Sequence, residues 1–193
     1  MLVNNPNMVE IPDIIALALA ARNCVDRIYL HWTAGHYGQF YDDYHFNIDK
    51  DGTVYQTCEN LCESKSHTWQ RNRRSIGIAL ACGYGASVSV PLGTCEKMLY
   101  GVKAGVRRRP LLSAEIDYGK EGPTVLQIES AARVIALLCQ GLALQPGAEQ
   151  VMTHAEAAIA DGYGPCSGDG EMRWDLWFLP DLPLTDILLP GGE

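Results

Sequence analysis

Two histidines in this sequence each close a short apolar run. His31 follows Ile28-Tyr29-Leu30 and is followed at once by Trp32-Thr33-Ala34-Gly35. His154 follows Gln150-Val151-Met152-Thr153. β-Prone runs of this kind make buried strands, and a side chain at the end of such a strand is held rigidly at the rim of a sheet. Two imidazoles held in this way can ligate a divalent metal. A third acidic or thiol donor would then leave one position open for water, the pattern of a catalytic rather than a structural zinc. Downstream of His154 the candidate third donors are Glu156, Asp161, Cys166, Asp169 and Asp175, and spacing does not choose among them. His36 lies in the loop GHYGQFYDDY, where no strand fixes it.

The elements that must carry these groups follow from pattern. Residues 12–22 read as a helix, with Pro12 in its first turn and charges running from acidic to basic along the dipole. Residues 27–31 form the first core strand. Alternation in Tyr44–Asp49 and again in Thr53–Gln56, on either side of Asp51-Gly52, predicts a hairpin. In such a strand Tyr44 and His45 face opposite sides unless it is twisted or bulged. Residues 57–74 are a polar loop carrying His67-Thr68-Trp69. Ser75–Cys82 reads as a central strand, apolar on both faces, with Gly77 marking close approach by a neighbour. Residues 124–141 have helical spacing, with Thr124 as N-cap and Gly141 as the stop. Residues 83–122 are an elaborated loop region whose Arg107-Arg108-Arg109 is either solvated or meets acidic groups of a substrate. A short strand at 150–153, a Gly-rich loop at 161–170, a segment at 171–178 leading to a short final helix and an extended tail complete the chain. No internal repeat or second-domain linker is visible.

Composition limits what the chain can be. Its 193 residues, 47% hydrophobic and 20% charged, suit one soluble globular domain. A formal net charge of −8 argues against non-specific nucleic-acid binding, which needs a basic face. The seven cysteines are odd in number and several sit in apolar runs, so free thiols in a reducing compartment are expected. No apolar run reaches the roughly 18 residues of a membrane span. Ile14–Ala21 resembles a signal core, but Glu10 and Asp13 precede it where Lys or Arg should stand. The expectation is therefore a protein made in the cytoplasm without a recognisable signal peptide, and a monomer.

Four stretches, in order over about residues 27–178, resemble the zinc-dependent N-acetylmuramoyl-L-alanine amidases of the type 2 family. They are IYLHWTAG, YHFNIDKDGTVYQ, SHTWQRNRRSIGIAL and VMTHAEAA. The second is the most specific. The resemblance implies an α/β fold, a single domain over 1–193 with a central mixed β-sheet flanked by helices and a cleft at the strand ends. It implies Zn2+ as cofactor and peptidoglycan or a muropeptide as substrate, cut between N-acetylmuramic acid and L-alanine at the cell wall. By position, His31 and His154 match the two histidine ligands and Tyr44 the catalytic tyrosine. Arg173-Trp174-Asp175 matches the family's Lys-x-Asp, which makes Asp175 the third ligand and Arg173 a fixed cation for the oxyanion. Cys166 is the alternative ligand: it stands nearer the usual distance from His154 but lacks a base two residues earlier. His67, His45 and Trp69 are candidates for contact with substrate; the two histidines could instead support the ligands or be plainly structural.

Two rival readings remain at this stage. One is a module of the same fold that binds peptidoglycan without cutting it. The other is a cysteine hydrolase, which requires a low-pKa thiol beside a histidine.

Overall fold

Strand β2 (Arg27–Trp32) is buried at every position after Arg27, which demands partners on both edges and cover on both faces. One edge pairs in parallel with β5 (Ser75–Leu80), the other in parallel with β8 (Val151–Thr153). Strand β3 (Phe46–Ile48) adds in parallel to β5. The sheet then ends in two antiparallel strands, β4 (Val54–Gln56) on β3 and β1 (Asn7–Met8) on β4. The order β1-β4-β3-β5-β2-β8 is the mixed sheet expected from the sequence. The computed structural model describes residues 1–89, 115–147 and 149–161. Within the elaborated region, β6 (Ser87–Ser89) and β7 (Glu115–Asp117) make a separate antiparallel ribbon. Arg107–Arg109, Cys166, Asp169, Arg173 and Asp175 lie outside the described residues.

Three helices pack around this frame among the described residues. They are α1 (Ile14–Ala21), preceded by a 3-10 turn at Ile11–Asp13, α2 (Val125–Leu142) and α3 (His154–Asp161). Thr124 caps α2 as its sequence suggests: the Gln127 N–H donates to Thr124 Oγ1 and the Thr124 N–H to Gln127 Oε1. The Gln127 amide then donates to the carbonyls of Ile48 and Ala81 at 2.9 and 3.2 Å, tying the helix start to the ends of β3 and β5. Buried Ile28, Leu30, Phe46, Ile48, Ile76, Ile78, Leu80, Val134 and Leu138 fill the space between.

Several expectations change. Gly141 does not stop α2; it lies inside the helix where α1 crosses, and a Cβ there would stand 2.4 Å from that of Ala18. The stop is Ala143, in the left-handed region at φ 59°, with the Leu144 N–H closing on the Cys139 carbonyl. Interruptions by Gln127, Glu129, Arg133 and Gln140 hide the apolar length of α2, which is long and apolar enough by composition to cross a membrane. Half of it is buried inside the protein, as befits a core helix. The hairpin strand is shorter than its alternation suggests, and Tyr44 and His45 lie in a bend just before Phe46. They are thereby released from the opposite-face rule.

The thiols are not all free. Cys24, just after α1, is bonded to Cys62 in the 57–74 loop, with their Cα atoms 5.5 Å apart and a separation of 38 in sequence. Cys58, Cys82 and Cys139 are free. Nothing in sequence spacing pairs Cys24 with Cys62; the sheet does, by returning the loop over the end of α1. Closing a loop of this length removes about 4 kcal/mol of chain entropy from the unfolded state. The Cys24→Ala/Cys62→Ala double variant should therefore lose about 2–4 kcal/mol of unfolding free energy in a denaturant titration. An unchanged midpoint and slope would show that the bond does not form.

Candidate active site

Leu30 of β2 lies opposite Thr153 of β8, so the next residue of each chain, His31 and His154, comes abreast at the carboxyl ends of neighbouring parallel strands. Their ring centres are 4.9 Å apart at an interplanar angle of 68°. Two imidazoles on one tetrahedral zinc, each nitrogen about 2.0–2.1 Å from the metal, hold their centres roughly 5 Å apart. The pair therefore fits half of such a site. His31 is fully buried, as is Nε2 of His154.

His154 is fixed from both ends of α3. Before it, the Thr153 N–H donates to Glu156 Oε2 at 2.8 Å and the Glu156 N–H to Thr153 Oγ1 at 3.1 Å. This is a capping box, and it makes His154 the first residue of the helix. Its signature, Thr153-His154-Ala155-Glu156, stands in the sequence and is easily passed over beside the histidine. At the far end Asp161 takes a two-pronged ion pair from Arg71, both contacts at 2.6 Å, while Arg71 Nη1 donates to the Tyr29 hydroxyl. Glu156 and Asp161 are thus engaged in building the helix. Among the described residues no group of three His, Cys, Asp or Glu is placed to hold a metal.

Around the pair lie more rings. The centre of Tyr44 is 5.1 Å from that of His31 and the centre of His67 is 5.3 Å from it, with His45 5.8 Å from His67. His45 is fully buried; its Nε2–H donates to the Glu63 carbonyl and its Nδ1 accepts the Gly77 N–H, both at 3.0 Å. Burial lowers its pKa to about 4. Nδ1 of His67 is 2.9 Å from the Thr68 hydroxyl and Nε2 is 3.3 Å from that of Ser75. Burial first, then the neighbouring His31, His45 and His154, holds the pKa of His67 near 2. The ring nitrogens of His45 and His67, both candidates for substrate contact, are hydrogen-bonded inside the protein. Gly77 explains why the His67 ring fits, since a Cβ there would meet its Cγ at 2.6 Å. Trp69, by contrast, is 54% exposed, and Tyr44 is half-buried.

Other candidates fall away from the centre. His36 stacks on Tyr84 at 3.7 Å and its Nδ1 pairs with Glu121. Burial pushes the thiol of Cys58 up to about 11 and that of Cys82 to about 12, and raises that of Cys139. None of these is a thiolate nucleophile at neutral pH.

Comparison with known proteins adds two findings. Residues 21–169 match the family model of the N-acetylmuramoyl-L-alanine amidases. Among solved structures, the endolysin N-acetylmuramoyl-L-alanine amidase LysCS from Clostridium intestinale URNW is 19% identical. It superposes with a TM-score of 0.42 over 69% of this chain and 71% of that one. No curated protein matches the chain.

The buried histidines set a pH response. Unfolded, His45 binds a proton near pH 6.5; folded, only near pH 4. Between these values the unfolded chain holds more protons, so stability falls as pH drops through that window, by about 1.4 kcal/mol per pH unit from this residue. Denaturant titrations at pH 7 and pH 5 should show the fall, and a shallower one in His45→Gln. An identical slope in that variant would mean that His45 is not buried neutral.

Proposed function

The chain belongs to the N-acetylmuramoyl-L-alanine amidase family and is a peptidoglycan amidase; we propose that it acts on the cell wall, cutting the lactyl amide to L-alanine with a zinc ion held by His31, His154 and Asp175. The observation that carries this reading is the pair of strand-end imidazoles 4.9 Å apart, His31 fully buried and His154 with its Nε2 buried. Family membership also separates the chain from a module that only binds the wall.

Bound zinc would polarise the amide carbonyl and acidify a water molecule. The rest falls to the chain's own residues. Tyr44, its ring 5.1 Å from that of His31, would orient the attacking water or pass a proton. Arg173 would offset the charge developing on the carbonyl oxygen; as a guanidinium it stays charged at any working pH and cannot act as the acid. Trp69, exposed on the loop that carries Thr68, would offer an apolar face to the sugar or the peptide stem. The Cys24–Cys62 disulfide suits work outside the reducing cytoplasm, in keeping with a target in the wall.

A second choice of third ligand has one observation in its favour. The family match runs from residue 21 to 169, so it includes Cys166 and ends before Arg173 and Asp175.

Purified peptidoglycan digested with the enzyme should release peptides that begin at L-alanine, as read by mass spectrometry, and a chelator should abolish the release. Cuts between sugars or within the stem would overturn the reading, as would full activity in chelator. Zinc counted per chain should fall from one to well below one in Asp175→Ala and stay at one in Cys166→Ala; the reverse pattern transfers the ligand role to Cys166.

A further inference from the structure

The hydroxyl of Ser75 lies 2.7 Å from the main-chain carbonyl of Arg71. A carbonyl only accepts, so the single hydroxyl proton of Ser75 is committed there. Ser75 Oγ is also 3.3 Å from Nε2 of His67, and with no second proton to give it must accept. His67 therefore carries its proton on Nε2. A neutral imidazole has one N–H, and His67 is that form here: it is buried and its two nitrogens face hydroxyls, with no carboxylate among the described residues against either to hold a second proton. Its Nδ1 is then an acceptor, 2.9 Å from the Thr68 hydroxyl, and the Thr68 proton points to it. Thr68 Oγ1 stands 3.2 Å from Nε2 of His31. Its own proton being used, it accepts from His31.

We infer that Thr68, His67 and Ser75 are positioning residues that lock His31 as the Nε2–H tautomer, so that Nδ1 carries the lone pair offered to a metal. The direction of the whole chain is set by one main-chain carbonyl. Side chains alone could reverse it, because each hydroxyl and each imidazole both donates and accepts; the Arg71 carbonyl cannot. All four members are buried, so water does not compete for the bonds. The loop is held in place for this task. Asn72 Oδ1 accepts the N–H groups of both His67 and Thr68, at 3.1 and 2.7 Å. The Arg71 side chain is clamped to Asp161 of α3, the helix that His154 begins. One residue thus anchors the tautomer of the first histidine through its carbonyl and the helix of the second through its guanidinium.

The inference deepens the zinc reading given above, but the chain of bonds exists without metal, so the two can be tested apart. In metal-free protein carrying 15N-histidine, long-range proton–nitrogen spectra read each ring's tautomer. His31 and His67 are assigned by their loss in His31→Gln and His67→Gln. Both should show the proton on Nε2; a proton on Nδ1 of either ring overturns the inference, whatever the metal turns out to be. In a chelator competition, Thr68→Val, which keeps the shape and removes the hydroxyl, should raise the zinc dissociation constant about 10- to 100-fold, the usual effect of losing a ligand's supporting bond. Thr68→Ser should stay close to wild type. Equal affinity in Thr68→Val and wild type overturns the role assigned to Thr68. Should Thr68→Val fail to fold, the tautomers of the unaltered protein still decide. If the unaltered protein takes up no zinc, the metal reading fails while the tautomer result stands or falls on its own.

Discussion

Everything at the candidate site depends on one register, Leu30 against Thr153 in the parallel pairing of β2 with β8. Because side chains alternate faces along a strand, a slip of one residue would turn one histidine away from the other. The register is pinned more firmly than a three-residue strand could manage alone. The Ile28 N–H donates to the Gln150 carbonyl at 2.7 Å at the start of the pairing. Just past its end, the Thr153–Glu156 capping box converts strand to helix at the histidine itself. The Arg71–Asp161 pair then holds the far end of α3. A short strand leading into a helix so constrained places one imidazole with little freedom, which is what a metal ligand needs.

The polar cluster behind this pair is tolerated in the core because His45 and His67 are held neutral by burial and their ring nitrogens are hydrogen-bonded. His31, His45 and His67 are buried within one neighbourhood. Desolvation opposes a charge on either buried ring, joined at His67 by the neighbouring histidines and at His45 by Lys65, and the lowered pKa values of both express that cost. Neutral rings with both nitrogens satisfied avoid it. Gly77 contributes twice: its missing side chain makes room for the His67 ring, and its N–H fixes the acceptor nitrogen of His45. The cluster thus joins β5 to the 57–74 loop through bonds whose directions are fixed, where an apolar contact would leave the loop free to shift.

That loop illustrates why polar structure is hard to read. It places Leu61 in the core and little else. What holds it is the Cys24–Cys62 bond, the His45 bond to the Glu63 carbonyl, the two N–H groups gathered by Asn72 and the clamp on Arg71. None of these has a periodicity. Hydrophobic alternation announces a strand because the sheet has a repeat of two; a loop stitched by individual hydrogen bonds has no repeat to detect. His67, a candidate for contact with substrate, packs inward, its Nδ1 against the Thr68 hydroxyl that meets His31.

From the sequence alone one could read the elements whose physics is local. These are the buried strands at β2 and β5, the cap of α2 at Thr124, the hairpin turn at Asp51-Gly52 and the two histidines ending two apolar runs. The motifs in order were enough to suggest the family, and the family match bears this out. What needed the fold was every relation between distant segments. That His31 and His154 stand abreast follows from strand order, and that Gly141 is a crossing point rather than a stop follows from α1 lying against it. The disulfide, and the opposite fates of His67 and Trp69 on one loop, are likewise tertiary. The reason is the same in each case: residue type and spacing determine what a segment prefers to be, but distance, burial and hydrogen-bond direction between segments exist only once the chain has closed on itself.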